Sequence, residues 1–207
     1  MRDLIHALKY GRLRPAARQL GQFLARAIQQ LRSEAPTEMI VVPVPLHRAK
    51  HSDRGFNQAR LITAEALAVL RRKAPDWRLT LAPGTLIRLR ATETQAGLTT
   101  RQRRLNVRGA FKVSTPSLVA GKHVLLVDDI LTTGATARAA SRALLQAGAE
   151  TVWVATLARA RRAEQAFDRT LDRSLTASER TETATAFRTV ESTRQHATMN
   201  AQNQPSF

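Results

Sequence analysis

The chain has 207 residues, with 33 Lys and Arg against 16 Asp and Glu and no cysteine; this suits one domain with a real core and excludes disulfides and thiolate-held metals. The formal charge of +17 attracts phosphorylated ligands and polyanions alike, and the 4% aromatic content argues against a base-stacking platform of the single-strand-binding kind. No apolar run approaches the ~20 residues of a membrane span and the start, Met1 to His6, lacks a signal-peptide core, so the expected location is cytoplasmic with no membrane partner.

In chain order, Leu4 to Tyr10 forms a short helical piece, with Gly11 and Pro15 punctuating the connection to the next helix. Leu20, Phe23, Leu24, Ala27, Ile28 and Leu31 share one face of that helix, over 16–33. Met39 to Val42 is a buried strand that enters Pro43-Val44-Pro45. Ile62, Ala66, Val69 and Leu70 mark a helix over 57–73, begun at Asn57 and ended by Pro75 with the polar stretch after it. Thr85 to Leu89 and Ala110 to Val113 read as strands flanking an Arg-rich loop and a short helix at 99–106. Val124 to Val127 is the central strand, 135–147 the next helix, stopped by Gly148, and Val152 to Leu157 the last strand. Residues 161–207 are rich in Thr, Arg, Ala, Glu and Gln. Phe167, Leu171 and Leu175 give them one weak helical face, and no ordered structure is expected beyond about 176. The alternation predicts an α/β fold, a mostly parallel sheet with helices on both faces. The chain divides into an N-terminal helical part (1–36), a core (37–160) and a tail (161–207).

Chemistry concentrates in 124–136. There an apolar run ends in Asp128-Asp129 and passes through a small-residue turn into a helix. Such a strand delivers both carboxylates to its carboxyl end, where open α/β sheets bind ligands. The turn, Thr132, Thr133, Gly134, Ala135 and Thr136, aims backbone N–H groups and hydroxyls into one concavity at a helix N-terminus, a nest for phosphate. Ionised carboxylates only accept hydrogen bonds, so the Asp pair suits the two O–H groups of a vicinal diol. Together these features fit a ribose 5-phosphate. The plainer alternative has Asp129 as a simple helix cap. The turn has neither the Lys-Ser/Thr of a triphosphate loop nor a G-x-G-x-x-G pattern.

A second constellation follows the Pro43-Val44-Pro45 strand end: His47, Arg48, Lys50, His51 and Arg54, then Gly55-Phe56-Asn57-Gln58. Cations on a stiffened loop suit a diphosphate, and equally an ordinary basic surface. A third runs from Arg88 to Leu98 and includes Arg90, Thr94 and Gln95. It has the make-up of a closing lid or of a solvated hairpin.

Lys9-Tyr10, Val42 to Pro45 with Arg54 to Gln58, Arg90 to Gln95, Asn106 to Phe111, Val124 to Thr136 and Val154 to Arg159 occur in that order. Together they resemble the ComF family (competence protein F, GntX-like) within the type I phosphoribosyltransferase superfamily. The resemblance implies that fold, a glycosyltransferase activity that releases pyrophosphate from phosphoribosyl pyrophosphate (PRPP), and a link to competence and DNA uptake. It implies Asp128 and Asp129 as catalytic, Thr132 to Thr136 on the 5-phosphate, and His47, Arg48 and Arg54 on pyrophosphate. Arg88, Arg90, Thr94 and Gln95 would form the flexible lid, and the N-terminal helices a hood over an acceptor such as a nitrogenous base. Mg²⁺ would arrive with PRPP, the Asp pair meeting it indirectly. Family members usually open with a four-cysteine zinc module; this chain has no cysteine, so no zinc is expected. A non-enzymatic adaptor that binds phosphorylated ligands or single-stranded DNA is the alternative, and a homodimer is a further expected partner.

Overall fold

The computed structural model describes residues 14–46, 56–89, 109–131, 133–159 and 185–189. Helix α1 (Arg14–Gln30) leads to strand β1 (Glu38–Pro43), helix α2 (Gln58–Lys73) and strand β2 (Arg78–Leu81). Strands β3 (Leu86–Arg88) and β4 (Phe111–Val113) precede a short 3-10 turn at Pro116–Leu118. Strand β5 (His123–Leu131), helix α3 (Ala135–Gln146), strand β6 (Thr151–Arg159) and strand β7 (Thr185–Thr189) complete the chain order.

The main sheet has the order β2-β1-β5-β6-β7. Its first four strands are parallel, and β7 pairs antiparallel with β6. β3 and β4 form a separate antiparallel pair in which Arg88 faces Phe111. The mostly parallel sheet is as expected, and its order supplies what chain order does not. From β1 the chain crosses by α2 to β2 on one side, whereas β5 and then β6 lie on the other. β1 and β5 therefore flank the switch point, where a crevice opens beyond the carboxyl ends of the strands.

Two cores flank the sheet, because alternate residues of a strand point to opposite faces. On one face, Met39, Val41, Leu125, Val127, Trp153 and Ala155 pack with Leu20, Leu24, Ile28 and Leu31 of α1 and with Ile62, Ala66 and Leu70 of α2. On the other, Val42, Val44, Val124, Leu126, Val152 and Val154 pack with Ala137, Ala140 and Leu144 of α3 and with Leu86, Phe111 and Val113 of the β3–β4 pair. Part of the stretch expected as a hood is thus α1, laid on the sheet face with the predicted residues buried inward. Arg32 donates to both carboxylate oxygens of Asp76 at 2.7 and 2.6 Å, joining the end of α1 to the turn before β2. This bond holds the Asp76 carboxyl below its ordinary range.

Two strands depart from the expectation. β2 reads Arg-Leu-Thr-Leu and lies at the sheet edge with alternating exposure, so its outward Arg78 and Thr80 hide it in a polar stretch. β7 stands in the tail, where no ordered structure is expected beyond 176, and β6 is therefore not the last strand. Its Thr-Ala-Phe-Arg-Thr sequence carries one large apolar residue, and its pairing comes from main-chain bonds to the edge of β6, which composition does not report. The Leu4–Tyr10 and 99–106 helices and the 167–175 face lie outside the described residues. No helix among the described residues is long and apolar enough to cross a membrane.

Candidate functional site

The site is built where β1 and β5 end. Pro43 registers with Val127, and the Val44 N–H donates to the Val127 carbonyl at 2.8 Å. The Pro43-Val44-Pro45 turn therefore leaves the sheet beside Asp128. Asn57 fixes this turn from below. Its Nδ2 donates to the Val44 carbonyl at 3.1 Å, while its Oδ1 accepts from the Arg60 N–H at 3.3 Å as the cap of α2. One side chain thus starts the expected helix and anchors the strand exit.

β5 continues through both carboxylates to Leu131, beyond the apolar run that predicts it. Asp128 and Asp129 are half-buried. The Asp129 N–H donates to Asp128 Oδ1 at 2.9 Å, which pins one oxygen of Asp128 and fixes the direction of the other. Asp128 registers with Thr156 of β6, a fully buried residue whose hydroxyl has no hydrogen-bond partner among the described residues.

The turn into α3 has the expected form. Gly134 is the N-cap, left-handed at φ 69° and ψ 7°, and gives no side-chain cap; only glycine adopts this conformation without strain. The Ala135 N–H turns to Thr133 Oγ1 at 3.4 Å. The N–H groups of Thr136 and Ala137 stand in the first turn, where a helix offers them no acceptor. Gly134 and Ala135 are buried and Thr136 half-buried. Arg138 bends back over this turn and donates through Nη2 to the Thr133 carbonyl at 2.6 Å.

Arg88, expected both in the Thr85 to Leu89 strand and at the start of the lid, is the last residue of β3. It is paired across to Phe111, half-buried, and its guanidinium lies 5.4 Å from the centre of the Phe111 ring. The ladder fixes its backbone, and the ring lies against its guanidinium. Burial pushes the guanidinium below the usual arginine range, and the Asp128 carboxylate pulls it back up, which places the two charges within mutual reach. Arg88 also borders a cleft of about 520 Å³ lined by Pro43, Pro45, Asn57, Arg60 and Leu86. The structure thus brings together Asp128, Asp129, Thr133, Gly134, Ala135, Thr136 and Arg88. Thr132, His47, Arg48, Arg54, Arg90, Thr94 and Gln95 lie outside the described residues. The contact of Phe111 with Arg88 and the return of Arg138 to the Thr133 carbonyl are additions, because neither a ring across a ladder nor an arginine folding back on its own helix has a signature in sequence spacing.

The Arg88–Phe111 contact is measurable. A double-mutant cycle with Arg88→Met and Phe111→Leu should give a coupling of about 0.5–1 kcal/mol in urea unfolding, the size of a partly desolvated cation–π pair. Zero coupling would mean that the ring does not hold the guanidinium.

A family model described as phosphoribosyl transferase domain matches residues 78–190, from β2 through β7. DNA utilization protein YhgH of Salmonella typhi is 37% identical over 158 residues, 75% of this chain and 66% of that protein. Competence protein F of Haemophilus influenzae is 34% identical over 121 residues, 58% of this chain and 50% of that protein. Competence protein ComFC of Bacillus subtilis is 37% identical over 109 residues, 53% of this chain and 39% of that protein. The chain thus spans 66% or less of the length of these relatives. With the family model covering more than half of it, this chain belongs to the phosphoribosyl transferase domain family, with YhgH and the competence F proteins among its relatives there.

Proposed function

We propose that the protein binds PRPP at the carboxyl ends of β1 and β5 and transfers its phosphoribosyl group with release of pyrophosphate. The observation that carries this reading is the pairing of two half-buried carboxylates with a glycine-capped helix N-terminus on one strand–turn–helix unit. The turn 132–136 receives the 5-phosphate on backbone N–H groups and hydroxyls. Asp128 and Asp129 accept from the 2- and 3-hydroxyls, which orients the ribose. Departure of pyrophosphate builds positive charge at C1 and the ring oxygen, and fixed carboxylates beside the ribose stabilise it electrostatically. Arg88, with His47, Arg48 and Arg54, meets the negative charge growing on the leaving group. Arg90, Thr94 and Gln95 close over the centre and keep water from the ribosyl cation. The acceptor, a nitrogenous base on this reading, approaches the opposite face of C1.

Mg²⁺ fits this arrangement as a companion of the ligand. No cluster of three or more potential ligands stands among the described residues, and magnesium is commonly held by one or two carboxylates together with substrate phosphates. Asp128 and Asp129 would meet the ion indirectly, through the PRPP that carries it, and the ion would neutralise charge on the leaving pyrophosphate.

The +17 charge and relatives named for DNA utilization and competence support a second reading, an adaptor that keeps the fold to bind phosphorylated ligands or single-stranded DNA. Pyrophosphate release separates the two. Incubation with PRPP, Mg²⁺ and a panel of nitrogenous bases should liberate pyrophosphate with at least one base. Binding of PRPP without release across the panel favours the adaptor. Binding of single-stranded DNA that weakens steeply between low and moderate salt, as phosphate contacts require, supports it further.

A further inference from the structure

We infer that Arg138 is a positioning residue of the phosphate turn, one that sets the peptide between Thr133 and Gly134 so that the turn presents its donors to a phosphate dianion. The inference rests on the reading of that turn as the phosphate subsite. It names a residue that neither the sequence motif nor the geometry of the Asp pair includes.

The first support is the direction of one peptide plane. Arg138 Nη2 donates to the Thr133 carbonyl at 2.6 Å. In a trans peptide the C=O and the next N–H point to opposite sides of the chain. A Thr133 carbonyl drawn toward Arg138 therefore turns the Gly134 N–H the other way. Gly134 holds a left-handed conformation at φ 69°, which relies on such an external hold more than a helical residue does. Arg138 can reach back because Cα–Cβ bonds in a helix tilt toward its N-terminus. Its own N–H is already used, donating to the Gly134 carbonyl at 2.9 Å, so backbone and side chain of one residue brace both sides of the Thr133–Gly134 unit.

The second support is the sign of the charges. A helix N-terminus carries partial positive charge and favours acids in its first turn. α3 has no acidic residue in its first turn and instead bends a guanidinium over it. For the unliganded helix this is the unfavourable sign. For a bound phosphate it is the favourable one, adding a full charge to the helix dipole.

The test is calorimetric titration with ribose 5-phosphate, alongside pyrophosphate and each variant's Tm. Wild type should bind ribose 5-phosphate. Arg138→Met should weaken it about tenfold or more, the size of a hydrogen bond involving a charged group, with Tm within about 3 °C of wild type and pyrophosphate affinity changed less than twofold. Arg138→Gln, a good helix former without the charge, should weaken it similarly and decides the point if Arg138→Met does not fold. Ribose 5-phosphate affinity within twofold of wild type in a folded variant would overturn the inference. So would an equal loss for pyrophosphate with a Tm drop beyond about 10 °C in both variants, which would make Arg138 a folding residue. A wild type that does not bind ribose 5-phosphate fails earlier, on the subsite itself, and removes the reading on which the inference rests.

Discussion

Asp128→Asn should lower PRPP affinity by about a hundredfold, more than Asp129→Asn. The asymmetry follows from which oxygens are committed. Asp128 Oδ1 accepts the Asp129 N–H at 2.9 Å, so an asparagine there keeps its carbonyl on that bond and turns its amide NH₂ the other way. Donors then face donors at the ribose hydroxyl, and the Arg88 guanidinium loses the carboxylate charge that favours its own. One favourable charge-assisted contact to the ligand becomes unfavourable, worth about 1.5–3 kcal/mol. Asp129→Asn keeps that bond, which uses the Asp129 main chain, and leaves Asp128 charged beside Arg88, so it should cost about tenfold. Ligand-induced rises in Tm give the comparison directly, because stabilisation follows RT ln(1 + [L]/Kd). Equal shifts for wild type and Asp128→Asn would contradict the assignment of Asp128 to the ribose.

Gly21→Leu should cost at least about 3 kcal/mol, the largest stability effect of any single substitution proposed for this chain. Gly21 sits within α1 where that helix meets α2. A Cβ there would stand 2.4 Å from Glu65 Cβ and 3.0 Å from the Ala66 nitrogen. Neither atom can swing aside, since one is the first atom of its side chain and the other is backbone. The helices must separate, loosening the core that Leu20, Leu24 and Ile28 share with Ile62 and Ala66. Even Gly21→Ala, which gains about 1 kcal/mol in helix propensity, should be net destabilising, because overpacking costs about 1–3 kcal/mol. Thermal unfolding checks both substitutions, with a Tm fall of roughly 6–12 °C expected for leucine. A leucine variant with an unchanged Tm would mean that α1 and α2 do not meet at Gly21.

The site and the core were legible in the sequence to different degrees, for physical reasons. β1 and the first half of β5 are buried on both faces and so read as unbroken apolar runs, which shortness, β-branching and the turn residues after them mark as strands. The Asp pair and the glycine turn were legible because strand, acid, φ-positive residue and helix are all local. The switch point was not, since nothing in chain order tells that β2 lies on one side of β1 and β5 on the other. β2 was lost to its outward Arg78 and Thr80, and β7 to a tail composition that suits disorder better than a ladder. Arg88 illustrates the boundary. Its charge suggested a lid and its apolar neighbours a strand; the structure shows the strand, with the Phe111 ring lying across the β3–β4 register from it. Arg138 lay beyond reach, because its role depends on a side chain folding back over its own helix.

The central claim is that one PRPP molecule binds across Asp128, Asp129 and the turn at Gly134. Isothermal titration of the full chain with PRPP in the presence of Mg²⁺ tests it most directly. Saturable binding with one ligand per chain, lost in the Asp128→Asn/Asp129→Asn double variant while its fold persists, is the result expected. Absence of heat with wild type, or an undiminished affinity in the double variant, would contradict it.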